Sequence, residues 1–285
     1  MATFTNQATL TYGGDTVVSN VVTGELVTVL SATKTAAAPA YAQGEIITYV
    51  IMLRNTGTTA VEALTVTDDL ASYSFTPTDA ATITLTPLRY VEGSLRYFTN
   101  GVLQTTPTVT AGENTLTVAP VTVPAGGTAT LVYEVRVNTF APAAANSVLT
   151  NTVSVTGAGL AASVQAEATI EAENRPRLAI TKAISPASVA ENGMLTYTIT
   201  VQNYGMQAVT GGLVVSDTFD PILRDISVTY NGDAWTNYTY DTTTGVFTTT
   251  ANTVSVPAAT DTVNETTGAH TVVPGTTVIT VSGTV

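Results

Sequence analysis

Cysteine is absent from this chain of 285 residues, so neither a disulfide framework nor a thiolate metal site can form. Histidine occurs once, at His270, where the surrounding glycine and proline residues predict a turn. No Ser/His/Asp set, glycine-rich phosphate loop or Cys/His cluster can be recognised. We therefore expect no metal, no cofactor and no enzyme with turnover.

Charged residues are also scarce. They make up 11% of the chain, and 21 acidic residues outnumber nine basic ones to give a net charge of −12. An acidic surface is repelled by phosphate groups, which argues against nucleic acid or an anionic membrane as partner. No apolar stretch approaches the length of a membrane span, so we expect no membrane insertion. No signal-peptide pattern is recognised, which leaves open an unusual export route or a processed chain.

Hydrophobic residues, by contrast, make up 44% of the chain, and Thr, Val, Ala and Gly are the most prominent types. No window shows the period of a helix, and turns containing Gly, Pro, Asn or Asp recur along the chain. This composition is typical of β-proteins. We predict an all-β fold of immunoglobulin-like β-sandwiches built from short alternating strands.

The sequence contains an internal repeat. Leu195–Gly205 repeats Ile47–Gly57, and Leu213–Asp217 repeats Leu64–Asp68. A repeat of this length indicates two copies of one domain. We predict three parts, an N-terminal donor strand with its hairpin partner, a first β-sandwich and a second β-sandwich: residues 1–25, 26–174 and 175–285.

The two copies end differently. The first copy closes with the strand Leu149–Val155, whereas the second stops at Val285, level with about Val137 of the first. We expect the second sandwich to lack its last strand. A sheet without its last strand has an open edge that can take a strand from elsewhere.

The start of the chain resembles the strand that the second copy lacks. Thr5-Asn6 copies Thr150-Asn151 of the first copy's closing strand. Residues 1–12 alternate between an apolar and a polar face, which predicts a β-strand. We predict that this strand completes the second sandwich of another subunit. Its predicted inward-facing residues are Phe4, Asn6, Ala8 and Leu10.

Only two lysines occur in the chain, and they lie at matching positions of the two copies, Lys34 and Lys182. Each stands on the apolar side of its strand, as do the matching aspartates, Asp68 and Asp217. Ionisable side chains on a core face are rare. Burial disfavours charge, so it lowers the pKa of a lysine and raises that of an aspartic acid. We predict that the lysines are nucleophiles and the aspartates proton shuttles.

Asn151 is a third polar residue on an apolar face of the first copy. Together, Lys34, Asp68 and Asn151 suggest a self-made amide bond. The neutral amine would attack the carboxamide carbon while the aspartic acid moves protons and ammonia leaves. The alternative is a buried Lys–Asp ion pair whose hydrogen bonds the asparagine completes.

These residues resemble a known family. Lysine on the opening strand, Val-Thr-Asp at mid-domain and Thr-Asn-Thr-Val-Ser-Val at the close are similar to the repeat called domain of unknown function 11, over nearly the whole chain. The resemblance implies tandem immunoglobulin-like domains on a bacterial surface, in which Lys, Asp and Asn form isopeptide bonds as in adhesins and pilins. The chain also resembles subunits of clostridial spore appendages, which implies an extracellular location on a cell or spore surface. The second copy departs from the family pattern because it lacks its own Asn strand.

Two functions fit these features. The first is a structural subunit of an extracellular fibre that binds copies of itself head-to-tail through the donor strand. Asn6 of one subunit would then form an amide with Lys182 of its neighbour. The alternative is a cell-surface adhesin, a binding module with stabilising isopeptide bonds.

Overall fold

A computed structural model describes residues 2–26, 29–158, 160 and 162–285 of the chain. These residues form 30 β-strands and no helix, which confirms the all-β fold. No helix long and apolar enough to cross a membrane occurs within them. The chain divides into two compact units, residues 1–141 with 149–170 and residues 142–148 with 171–285. Each unit is described below by itself.

The N-terminal arm, defined as residues 2–26, is a hairpin in which β1 pairs with β4 and β2 pairs with β3. Its strands are β1 (Ala2–Asn6), β2 (Thr9–Tyr12), β3 (Asp15–Val18) and β4 (Val22–Leu26). A single strand over residues 1–12 is therefore wrong, because three residues, 19–21, face two residues, 7–8, at a bulge. There the Ala8 N–H donates to Ser19 Oγ at 3.0 Å. The hairpin itself is formed as the alternating pattern predicts.

The rest of unit 1 is a sandwich of two sheets, with strand orders β13-β12-β16-β7-β5 and β14-β15-β8-β17-β18-β6. In addition, β11 pairs with β16, and β9 with β10. The strands are β5 (Leu30–Ala36), β6 (Ala40–Tyr41), β7 (Ile46–Asn55), β8 (Val61–Asp68), β9 (Tyr73–Phe75), β10 (Ile83–Leu85), β11 (Leu88–Tyr90), β12 (Arg96–Thr99), β13 (Val102–Leu103), β14 (Thr108–Ala111), β15 (Leu116–Val123), β16 (Thr128–Val137), β17 (Val148–Thr156) and β18 (Val164–Ala172). The predicted closing strand lies within β17.

The core of unit 1 lies between these sheets. Burial alternates along β7 and β16, with every second side chain inward, as the period of two requires. The fully buried aromatic residues Tyr49 and Tyr133 stand opposite each other on these two central strands. β8 lies between β15 and β17, so both of its edges are paired.

Unit 2 has a main sheet of order β19-β20-β30-β23-β24 and smaller sheets β21-β27, β22-β26-β25 and β28-β29. Its strands are β19 (Leu178–Ser185), β20 (Met194–Asn203), β21 (Val209–Leu213), β22 (Ser216–Thr218), β23 (Arg224–Tyr230), β24 (Asp233–Ala234), β25 (Tyr238–Tyr240), β26 (Val246–Thr249), β27 (Val254–Val256), β28 (Thr260–Val263), β29 (His270–Val273) and β30 (Gly275–Thr284). The core includes Phe219, Phe247 and Ile279.

The repeat in the sequence is a repeat in structure. Lys34 of β5 pairs with Ile51 of β7, and Lys182 of β19 pairs with Ile199 of β20. The units differ at the neighbouring sheet. Among the described residues, β21 and β22 are paired along one edge only, whereas the equivalent β8 is paired along both. All eight residues of β19, the edge strand of the main sheet, are exposed, so both sides of this strand are uncovered.

Candidate functional site

The first site lies inside unit 1, where three strands place three polar side chains together in an apolar interior. Lys34 comes from β5, Asp68 from the end of β8 and Asn151 from β17. The side chain of Lys34 is 0% exposed, and Asp68 and Asn151 are also buried. Lys34 Nζ donates to Asp68 Oδ2 at 2.6 Å. The structure therefore pairs Lys34 with Asp68, and Tyr49 and Tyr133, which interact with both Asp68 and Asn151, place the asparagine in the same interior.

Asp68 is held in place by two further donors. The Leu70 N–H donates to its Oδ1 at 2.9 Å, and the Tyr133 hydroxyl donates to its Oδ2. The Lys34 amine therefore shares one carboxyl oxygen with a phenol. The ring of Tyr49 lies beside the amine, 5.1 Å from its centroid to Nζ. These contacts orient the carboxyl group toward the lysine.

Burial controls the protonation of this site. It lowers the pKa of Lys34, and the nearby charge of Asp68 only partly opposes this effect. Burial, together with the Asp68 charge, raises the pKa of Tyr133 well above its usual value. The phenol therefore keeps its proton and remains a donor, while the lysine more readily becomes the neutral, nucleophilic amine.

Asn151 is fully buried, and neither its amide nitrogen nor its oxygen has a hydrogen-bond partner. The hydroxyls of Tyr49 and Tyr133 lie close enough to interact with the Asn151 amide, but neither makes a hydrogen bond of ordinary geometry to that amide. Buried amides are nearly always hydrogen-bonded, and leaving one unpaired is costly. An unpaired carboxamide buried in the same interior as an amine and a carboxyl group can act as the electrophile of an amide exchange.

The second site, in unit 2, has the same lysine and aspartate but is open to solvent. Lys182 Nζ lies 2.5 Å from Asp217 Oδ2, in an ion pair that lacks the angles of a hydrogen bond. The lysine side chain is 39% exposed. Its Nζ lies 4.2 Å from the centroid of the Tyr197 ring and 5.3 Å from that of Phe219. Among the described residues of unit 2, the Lys182 amine has its ion pair with Asp217 and its ring contacts with Tyr197 and Phe219, and these partners include no asparagine.

Asn6, the predicted third member of the second site, lies in the arm opposite Val22 and is exposed. The other predicted donor residues are exposed too, among them Phe4 and Leu10 at 57% and 69%. Side chains this apolar on both strands of an isolated hairpin indicate a surface that lacks its partner.

Sequence reasoning missed the two tyrosines of the first site. Tyr133 lies on the apolar side of its strand, where a buried aromatic residue is ordinary. The sequence around it therefore gives no sign of a role in the site. The turn predicted at His270 is also wrong. This residue begins β29, and its Nδ1 lies 2.8 Å from Asp261 Oδ2. Among the described residues, no group of three His, Asp or Glu side chains is close enough to hold a metal ion.

No protein-family profile matches the chain, and no curated protein matches its sequence. Some solved structures are similar to it. The major pilin SpaD of Corynebacterium diphtheriae is 14% identical with a TM-score of 0.34, over 77% of this chain and 48% of the pilin. The pilin BcpA of Bacillus cereus is 13% identical with a TM-score of 0.35, over 95% and 73%. A collagen-binding domain of a Staphylococcus aureus adhesin is 10% identical with a TM-score of 0.30, over 50% and 97%. The chain spans less than half the length of SpaD.

Proposed function

We propose that this protein is the structural subunit of an extracellular fibre on a bacterial cell or spore surface. Subunits join head-to-tail when the arm of one enters the open side of unit 2 of the next. One observation carries the proposal: unit 2 presents a Lys182–Asp217 pair beside an unpaired strand edge, and the exposed arm carries Asn6 in a copy of the Asn151 strand.

The first site supports an amide bond within the subunit. The Lys34 amine attacks Cγ of Asn151, the bond from Cγ to the side-chain nitrogen breaks, and ammonia leaves. Asp68 first takes a proton from Lys34 through their hydrogen bond, then donates to the carboxamide oxygen, accepts the proton of the attacking amine and passes it to the leaving group. The rigid sandwich holds the three groups in place, which supplies much of the rate. The product stays in the chain, so each site reacts once and no turnover follows.

The second site supports the same reaction between subunits. Insertion of the arm would bring Asn6 to Lys182 and Asp217 and would cover the exposed amine. The Lys182 amine would then be shielded from water, as the Lys34 amine is in unit 1. Bond formation would therefore follow insertion. A head-to-tail contact of this kind, repeated without closing into a ring, produces a filament.

Strand addition also explains the exposed apolar residues of β19. Leu178, Ile180 and Ile184 stand on the same side of the strand as Lys182 and are 44%, 62% and 47% exposed. In unit 1 the equivalent strand, β5, starts with the buried Leu30 and carries the buried Lys34. An added strand would remove this apolar surface from water, which stabilises the assembly.

Boiling the assembled protein in detergent tests the proposal. Wild-type protein should give a ladder of covalent oligomers. A variant without residues 2–12 should remain monomeric before heating, and Lys182→Ala should form fibres that separate into single subunits on heating. Lys34→Ala is the matched control, because it removes the other lysine and should still give a ladder. Fibres from the deletion variant would disprove strand donation, and a ladder from Lys182→Ala would disprove the intermolecular bond.

The alternative, an adhesin, has one structural feature in its favour. Unit 1 has an open groove of about 1160 Å³ whose lining includes Arg89, Arg96, Glu92 and Glu113. An adhesin with only internal isopeptide bonds would run as a single band in the same experiment. The ladder therefore separates the two functions.

A further inference from the structure

The arm hairpin has a first strand, made of β1 and β2, and a second strand, made of β3 and β4, and both carry exposed apolar residues. Besides Phe4 and Leu10, the second strand exposes Val17 and Val22, at 65% and 56%. If only the first strand entered the neighbouring subunit, the valines of the second would gain no cover. Their exposure indicates that the second strand also meets a partner surface.

The arm is a copy of a complete hairpin, β17 with β18. Thr5 of the arm pairs with Thr23, and the hydroxyl of Thr150 lies 3.4 Å from that of Thr169. Residues 23–25, Thr-Gly-Glu, also match residues 169–171, Thr-Ile-Glu. The two threonine pairs hold equivalent positions next to Asn6 and to the asparagine of the first site. The duplication therefore includes the second strand and its register.

The arm has Gly24 where β18 has the larger Ile170, and another residue of the arm compensates for this difference. A methyl group added at Gly24 would overlap the ring of Phe4, so the ring lies over the glycine. Phe4 stands where β17 has Leu149, and Gly24 stands where β18 has Ile170. A larger side chain on one strand fills the space left by the smaller one on the other. The hairpin therefore keeps an apolar surface in the place of Ile170.

In unit 1, β18 lies between β17 and the short strand β6 in the sheet and pairs with both. Tyr41 of β6 is 1% exposed, and Ala168 and Ile170 of β18 are buried. Among the described strands of unit 2, none pairs with the matching segment. Val189 stands seven residues after Lys182, as Tyr41 stands seven residues after Lys34, and it is 37% exposed and outside any described strand. Unit 2 is therefore open at the counterparts of both neighbours of the β17–β18 hairpin.

We infer that unit 2 of one subunit accepts the whole arm hairpin of another. The first strand pairs with the free edge of β21 and β22, and β4 pairs with the segment at Ser188–Val189. The hairpin closes the gap between these two edges, as β17 and β18 close it between β8 and β6. This inference rests on the proposed function and adds a second contact surface, in which Val189 and Val22 are covered together.

Two synthetic peptides test the inference against a subunit that lacks residues 2–26. The arm pairs only with itself among the described strands, and its described side chains are exposed or half-exposed, so its removal takes nothing from either core. The peptide of residues 2–26 should bind about tenfold more tightly than that of residues 2–12, the gain expected when roughly one valine side chain leaves water. Val189→Asp in the acceptor should abolish this difference and leave binding of the shorter peptide unchanged.

The outcomes separate this inference from the proposed function. Equal binding of the two peptides, or an advantage of the longer one that survives Val189→Asp, would overturn the hairpin contact and leave single-strand insertion standing. Failure of both peptides to bind would overturn strand insertion and the hairpin contact together. A peptide of residues 2–26 with Val22→Asp serves as a matched control and should bind no better than the shorter peptide.

Discussion

Lys34 and Lys182 hold equivalent positions but differ in exposure, 0% against 39% for their side chains. Lys34 has its aspartate and its asparagine within one folded unit, so the proposed amide bond needs no second molecule. Among the described residues of unit 2, Lys182 has the aspartate alone. In the proposed fibre, this difference at one residue position separates a bond that would form on folding from one that would depend on assembly.

The pH dependence of stability should reveal whether Lys34 is free or bonded. In Asn151→Ala the amine stays free, and burial lowers its pKa from the ordinary 10.5. Between the lowered pKa and 10.5, the unfolded state binds more protons than the folded state. The free energy of unfolding should therefore rise with pH in that window, by at most about 1.4 kcal/mol per pH unit. Urea denaturation across this range measures the slope.

Two controls accompany this prediction. Wild-type protein should lack the added slope, because an amide nitrogen does not titrate, and its intact mass should be lower than the sequence mass by one ammonia. Lys34→Met should lack the slope for want of the amine. A full sequence mass for the wild-type monomer would rule out the bond between Lys34 and Asn151.

Among the elements, β8 and its counterparts β21 and β22 show what the added strand must provide. β8 pairs with β17 so that Val153 stands opposite Asp68. In the second copy, Ala8 of a donated strand corresponds to Val153 and Asp217 corresponds to Asp68. The same register would therefore place Ala8 opposite Asp217. The backbone groups along this edge of β22 have no strand partner among the described residues, so a donated strand would satisfy them.

Hydrogen exchange should detect this pairing. Amides of residues 209–218 should exchange more slowly when a peptide of residues 2–12 is added to the subunit without its arm, because pairing shields the strand edge from water. Amides of β8, which already has two neighbours, should not change. A matched peptide with Leu10→Asp should give no protection, and equal protection by it would contradict insertion of the apolar face.

At the scale of the whole molecule, the two proposed bonds would define the covalent path along a fibre. Tension would enter a subunit at Asn6 and leave it at Lys182. Along this path, the bond from Lys34 to Asn151 would bypass the chain between these two residues. Residues 35–150 therefore carry no load in the proposed fibre. The C-terminal part of unit 2 lies beyond Lys182 and is outside the path as well.

Stretching single fibres should show this bypass. Fibres of Asn151→Ala should lengthen under tension by roughly 400 Å per subunit, the extended length of residues 35–150, once unit 1 unfolds. Wild-type fibres should show no such step, since the amide holds the ends of that segment together. Steps of equal length in both proteins would show that Lys34 and Asn151 are not joined.

Much of the fold follows from the sequence alone, because its signals are local. Alternation of apolar and polar residues predicted the strands, including β7, β17 and β20, and the internal repeat indicated two copies of one domain. The rarity of lysine singled out Lys34 and Lys182. Each of these signals can be read within a short segment or by comparing two segments, and needs no knowledge of packing.

Only the tertiary structure decided the contacts of the site and the exposure of its residues, because these depend on residues far apart in sequence that the sheets bring together. Tyr133 donates to Asp68 from 65 residues away, and nothing near either residue in sequence indicates the contact. The bulge that divides the first strand depends on its hairpin partner at residues 19–21. The exposure of Lys182 depends on what lies across from β19. Two lysines in nearly the same local sequence therefore have different chemistry, because burial is a property of the surrounding sheets and not of the strand.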